Sequence, residues 1–175
     1  MGNGEKLRLQ SIIRGCSKNK VDTEHVLAQV QDAYDICGEE DCGAGFVDVA
    51  LVNTCGFIGD AKEESVNTIL EVAERKKAGR VGKIVVFGCL SQRYASELPD
   101  LIPEVDLWLG ARDNDEVVRA LGVTPMPERG QSRFVTEGSG SYAYLKISEG
   151  CDRRCSYCAL CTSISSSRRF CLVEG

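Results

Sequence analysis

The chain has 175 residues, 43% hydrophobic and 27% charged, with a formal net charge of −5 at pH 7 and a pI near 5.0. That length holds one well-buried domain and a fragment of a second. The acidic balance argues against a generally basic nucleic-acid footprint. No apolar run reaches the length of a membrane span. The N-terminus Met1-Gly2-Asn3-Gly4-Glu5-Lys6 carries no apolar secretory region and no myristoylation signal.

In chain order, residues 7–13 (LRLQSII) predict a first strand. Val21, Val26, Leu27, Val30, Ala33 and Tyr34 recur near helical spacing and predict a helix over 19–36. Residues 37–46 read as an acidic, glycine-rich loop. The β-branched run 47–53 (VDVALVN), bounded by turn residues, predicts a buried strand. Ala61, Ser65, Ile69 and Ala73 form the stripe of a helix over 60–78. Residues 83–87 and 105–109 predict two more strands, and Asp113 is a candidate N-cap for a helix over 114–121. Strands alternating with helices imply an α/β fold, an open parallel sheet with flanking helices. From 124 to 141 the composition shifts to Pro, Gly, Ser and charge, which predicts a linker with a short strand at 133–136. Residues 142–148 alternate and predict a strand that opens a second domain. The tail from Ser163 to Arg169 has no apolar period and is expected to be disordered.

Ten cysteines without an export signal fit a reducing, cytoplasmic setting with thiolates held by metal better than a disulfide framework. Cys151, Cys155 and Cys158 stand at C-x-x-x-C-x-x-C spacing. Three thiolates so spaced hold three irons of a cubane and leave the fourth free to bind a small molecule. Cys16, Cys55 and Cys89 follow the strands 7–13, 47–53 and 83–87, each beside a glycine. Singly, each reads more readily as a small buried hydrophobe. At three matching strand–turn–helix junctions, they read as the ligands of a second cluster with an open iron. His25 is expected at the surface and Trp108 in the core. Cys37, Cys42, Cys161 and Cys171 are expected to be free thiols.

These residues carry a resemblance. GCSKNKVDTE (15–24), NTCGFIGDAKEES (53–65), GCLSQRY (88–94), PEVD (103–106) and YAYLKISEGCDRRCSYC (142–158) resemble, in order, the motifs of the radical S-adenosylmethionine methylthiotransferases. Lys18-Asn19 and Gly56-Phe57-Ile58 are similar to the RimO-like branch, which modifies an aspartate of a small-subunit ribosomal protein. The tRNA methylthiotransferase branch is the alternative. The resemblance implies a methylthiotransferase N-terminal domain over 1–123, a linker over 124–141, and the start of a radical S-adenosylmethionine barrel over 142–175. It implies two 4Fe–4S clusters, one on Cys151, Cys155 and Cys158 that binds and cleaves S-adenosylmethionine, and an auxiliary one on Cys16, Cys55 and Cys89 that presents sulfur. The implied partners are the ribosomal protein substrate and a reductant protein, with no membrane and no strong direct nucleic-acid signal.

The family continues after its last cluster cysteine with Ile-Pro and the rest of a barrel. Here Cys158 is followed by Ala159-Leu160-Cys161 and 17 residues in all, so a shifted or shortened reading frame is expected. Cys155, Cys158 and Cys161 also read as C-x-x-C-x-x-C. A fourth thiolate would close the cluster into a non-catalytic electron carrier, or make a four-cysteine structural zinc site with Cys151.

Overall fold

The structure, a computed structural model, describes residues 6–39, 42, 45–56, 59–111, 113–126, 132–135, 143–149 and 168–169. Five parallel strands form the central sheet: β1 (Leu7–Ile13), β2 (Tyr34–Cys37), β3 (Val47–Thr54), β4 (Val81–Gly88) and β5 (Leu107–Trp108), in the spatial order β2-β1-β3-β4-β5. The strand order reverses between β1 and β3, the switch point at which open α/β sheets leave a crevice. Among the described residues five helices accompany the sheet: α1 (Ser17–Val30), α2 (Gly59–Lys77), α3 (Cys89–Arg93) and α4 (Leu98–Leu101) between its strands and α5 (Asn114–Ala120) after β5.

Two apolar layers sandwich the sheet. On one face Ala50, Val52, Ile84 and Val86 pack with Ile69, Val72 and Ala73 of α2 and with Leu90 and Leu98. On the other, Val49, Leu51, Val85 and Phe87 pack with Val26, Leu27 and Val30 of α1 and with Val117 and Val118 of α5. Consecutive strand residues point to opposite faces, so strands covered on both sides read as continuous apolar runs. That is why β3 and β4 are plain in the sequence.

The helix expected over 19–36 starts at Ser17 and ends at Val30. After a turn, Tyr34–Cys37 form the edge strand β2, paired in parallel with β1 from Leu7↔Tyr34 to Gln10↔Cys37. Tyr34 lies at helical spacing from Val30, but its hydroxyl donates to Leu121 O at 2.7 Å on the α5 side. A four-residue strand beside a helix end carries too little pattern to separate the two. α3 and α4 do not stand out in the sequence, being far shorter than the stretch over which a helical period can be recognised. β5 is two residues rather than five. The Asp113 carboxylate accepts from Gly110 N at 2.8 Å and makes no side-chain cap to α5.

Of the stretch expected as a linker, the described residues 126 and 132–134 bond to α1. Arg133 Nε donates to Glu24 Oε2 at 2.9 Å, Phe134 N to Glu24 O at 3.0 Å, and His25 Nδ1 to Ser132 O at 2.9 Å. Met126 N donates to Gln29 Oε1 at 2.9 Å, and Lys146 Nζ pairs with Asp22 at 2.7 Å. Residues 132–135 form no strand, and neither do 143–147. The regular pairing begins at β6 (Ser148–Glu149), antiparallel to β7 (Arg168–Arg169). The tail expected to be disordered therefore contributes a short strand.

Candidate metal centre at the carboxyl edge of the sheet

The sheet register brings the first cysteine triad to one edge. β1 and β3 pair through Ile13↔Asn53, and β3 and β4 pair through Thr54↔Gly88. Cys16, Cys55 and Cys89 thus follow the carboxyl ends of three neighbouring strands. The turns touch: a Cβ built on Gly15 would lie 2.7 Å from Cys55 Cβ, and one on Gly56 would lie 2.8 Å from Leu90 Cα and 3.1 Å from Cys89 O. Gly15 and Gly88 adopt positive φ, 139° and 113°, a region that L side chains avoid. Glycine is required twice over at these points, by dihedral and by space.

Each cysteine has its own brace. Cys16 is exposed and forms the N-cap of α1 in extended backbone conformation, where the helix N-terminus favours negative charge. Its Sγ–H donates to Asn19 Oδ1 at 3.1 Å. Cys55 is buried. Its backbone N donates to Ser65 Oγ of α2, and Ser65 Oγ donates back to Cys55 O, both at 3.2 Å. Cys89 is half-buried and opens α3, whose Ser91 hydroxyl donates to Leu109 O at 2.5 Å. Arg93 Nη1 donates to Gly56 O at 3.1 Å and its guanidinium lies 5.4 Å from the Tyr94 ring centroid. Lys62 Nζ donates to the Tyr94 hydroxyl at 3.0 Å. Arg93 therefore bonds to the Cys55 turn, and Lys62 meets it across the Tyr94 ring.

Among the described residues, no three His, Cys, Asp or Glu side chains close on a point where a single metal ion would sit. The donor set is instead three thiols spread over three adjacent turns, with glycine backbones at their closest approach. A polynuclear cluster held at its corners suits that spread better than a lone ion. Cys151, Cys155, Cys158 and Cys161 lie outside the described residues, as do Tyr157 and Cys171.

Cys37 and Cys42 are expected from the sequence to be free thiols, and the structure corrects this: they form a disulfide with Cα atoms 5.5 Å apart. β2 delivers Cys37 to the sheet edge, and Cys42 is buried. In the sequence both fall in one featureless loop, which hides the pairing. Inside that loop, Glu39 forms a two-pronged ion pair with Arg14, the residue two before Cys16. The Arg14 hydrogen bond holds the Glu39 carboxyl below its usual range, and the Glu39 hydrogen bond raises Arg14 in turn. Beside this pair lies an open groove of about 460 Å³ walled by Arg14, Asp60, Glu63, Glu64 and Glu71. It is too open and too charged to enclose an apolar ligand.

Sequence reasoning does not single out Asn19, Asn53, Ser65 or Ser91 as site residues. The only signal is a polar side chain on the buried side of an apolar pattern, as at Asn53 inside the run 47–53. No described helix is long and apolar enough to cross a membrane.

Residues 8–110 match the model of a family described as Uncharacterized protein family UPF0004. The chain is 48% identical over 157 residues to the ribosomal protein uS12 methylthiotransferase RimO of Bacteroides thetaiotaomicron, covering 89% of this chain and 35% of that protein. To the protein of the same name from Porphyromonas gingivalis it is 48% identical over 161 residues, covering 87% and 35%. To that from Flavobacterium psychrophilum it is 44% identical over 156 residues, covering 89% and 35%. The chain spans about a third of the length of these curated relatives. The family match takes in all five strands of the sheet and the three cysteine turns on its carboxyl edge, and the chain belongs to the UPF0004 family.

Proposed function

We propose that the chain is the cluster-bearing part of a methylthiotransferase that modifies an aspartate of a small-subunit ribosomal protein. One observation carries the reading: three cysteine turns stand side by side on three neighbouring parallel strands. The relatives' shared name, which specifies uS12, supports the substrate. In this reading Cys16, Cys55 and Cys89 hold one 4Fe–4S cluster at three corners. Cys151, Cys155 and Cys158 hold a second, together with S-adenosylmethionine. When bound, these groups supply one-electron reduction, hydrogen abstraction from the substrate and a transferable methylthio sulfur.

The protein's own contribution is placement and charge. The N-terminus of α1 and the cations Lys62 and Arg93 offset the negative charge of a thiolate cluster. Gly15, Gly56 and Gly88 keep side chains out of the space between the turns. A reductant protein supplies the electrons, and the compartment is the cytoplasm.

The test is anaerobic assembly with iron and sulfide, followed by metal and sulfide assay, on the wild type and on the Cys16/Cys55/Cys89 triple alanine variant. The expected result is an iron and sulfide content that falls by about half in the variant, one of two clusters being lost. Zinc in place of iron, or unchanged iron in the variant, overturns the reading. Adding S-adenosylmethionine is expected to perturb the electron paramagnetic resonance of the reduced protein. Mass spectrometry of the ribosomal protein substrate reads the gain of one methylthio group on an aspartate.

A further inference from the structure

We propose that Asn19 and Asn53 are positioning residues, a buried amide pair that sets the Cys16, Cys55 and Cys89 turns in mutual register. The proposal rests on the reading of those cysteines as ligands of one centre. Both asparagines are buried, Asn19 at 5% exposure and Asn53 at 1%. Buried amides are costly unless every polar atom finds a partner.

Here each partner belongs to a cysteine turn or to the helix that starts at one. In the metal-free chain Asn19 Oδ1 accepts from the Cys16 thiol at 3.1 Å. As a thiolate ligand Cys16 no longer donates this bond, and the amide pair then holds the turns through its other four bonds. Asn19 Nδ2 donates to Asn53 Oδ1 at 2.7 Å and to Thr54 O, the carbonyl before Cys55, at 3.0 Å. Asn53 Nδ2 donates to Asn19 O and to Thr23 Oγ1, both at 2.9 Å. Asn53 Oδ1 also fills the space beside Gly88, where a Cβ would meet it at 2.5 Å. One amide pair therefore touches the turn of Cys16, the turn of Cys55 and the residue before Cys89.

All four amide N–H donors are used, so the pair fits in one arrangement. Asparagine is the residue type this needs. The substitution Asn19→Asp would set a carboxylate oxygen against two acceptors, and Asn19→Leu would remove the Nδ2 donor from both Asn53 Oδ1 and Thr54 O. Ser65 and Ser91 brace single turns, whereas the amide pair bridges between them.

The test uses the full chain with Cys151, Cys155 and Cys158 changed to alanine, so that iron reports the first triad alone. Asn19→Leu, Asn53→Leu, the double variant and Asn19→Asp are compared with this parent. The first readout is iron lost to EDTA after anaerobic assembly. The second, in the metal-free chain, is cross-linking of Cys16 to Cys55 by dibromobimane, mapped by peptide mass. Each single variant is expected to speed iron loss by about tenfold or more, as loss of a ligand-orienting partner does, and to lower the cross-link yield, with far-UV circular dichroism unchanged. The double variant is expected to be no worse than the worse single, because the two amides act as one unit.

Parent-like retention and cross-linking in the single variants, or strictly additive effects, overturn the proposal. Should a leucine variant not fold, Asn19→Ser, which admits water to Thr54 O and Asn53 Oδ1, carries the same expectation. If iron retention is the same with Cys16, Cys55 and Cys89 changed to alanine, the ligand reading fails. The metal-independent cross-link then still decides the amide pair.

Discussion

Gly88 has no room for a methyl group. At φ 113° a Cβ would lie 2.5 Å from both Asn53 Oδ1 and Thr54 O. Gly88→Ala is expected to cost about 1–3 kcal/mol in backbone strain alone, read by urea unfolding, and to lower iron binding with it. The Glu39–Arg14 pair gives a pH prediction. Glu39 is held below its ordinary value of 4.5, first by the Arg14 hydrogen bond. Its contribution is present above that value and is lost as pH falls through the depressed one. Glu39→Gln is expected to lower stability at neutrality and to flatten the acid limb of a stability–pH profile below pH 4.5, so that variant and wild type converge at low pH. At this scale the cysteines are legible because their chemistry is rare and their spacing regular. Asn19 and Asn53 are not, because an isolated asparagine reads as a turn or solvated residue until the sheet shows what it faces.

β5 owes its place to a side chain as much as to its two-residue ladder. Asp106 accepts from Ile84 N at 2.7 Å and from Lys76 Nζ at 2.5 Å. Burial pushes its carboxyl up, but the Lys76 and Ile84 hydrogen bonds outweigh this and hold it low. Asp106→Ala is expected to cost about 1–3 kcal/mol, the range for leaving a buried donor unpaired, with hydrogen exchange speeding first at Ile84. The ion pair of Arg133 with Glu24 makes a second case. The Glu24 side chain is 1% exposed. Arg133→Ala is expected to cost about 3–5 kcal/mol, since it strands a buried charge, whereas Lys77→Ala at the exposed Glu74 pair is expected to leave the unfolding temperature close to that of the parent. Thermal unfolding separates the two. β1, β3 and β4 can be read from sequence as β-branched runs between turns. β5 lies inside the run expected as a strand over 105–109, whereas β2 cannot be read, since four edge residues beside a helix end carry no period.

Across the whole molecule, neither apolar layer contains Cys16, Cys55 or Cys89. Stripping metal with a chelator is therefore expected to abolish visible absorbance while leaving far-UV circular dichroism and a cooperative unfolding transition in place. Reducing the Cys37–Cys42 bond, which closes a short loop of sequence separation 5, is expected to cost at most about 2 kcal/mol by chain entropy. The α/β class and the parallel sheet follow from alternation of apolar runs. The docking of 132–135 on α1 does not, because a Pro, Gly and Ser-rich stretch gives no sign of what it lies against.

That docking changes what counts as a transferable module. A sheet severed at the compositional seam after Val123 would keep the Glu24 carboxylate in its interior and leave behind the guanidinium 109 positions downstream that neutralises it. Recombination or splicing at that seam would hand the recipient a destabilised fragment. A junction beyond Phe134 carries the counter-charge along, so the heritable piece is longer than its composition suggests.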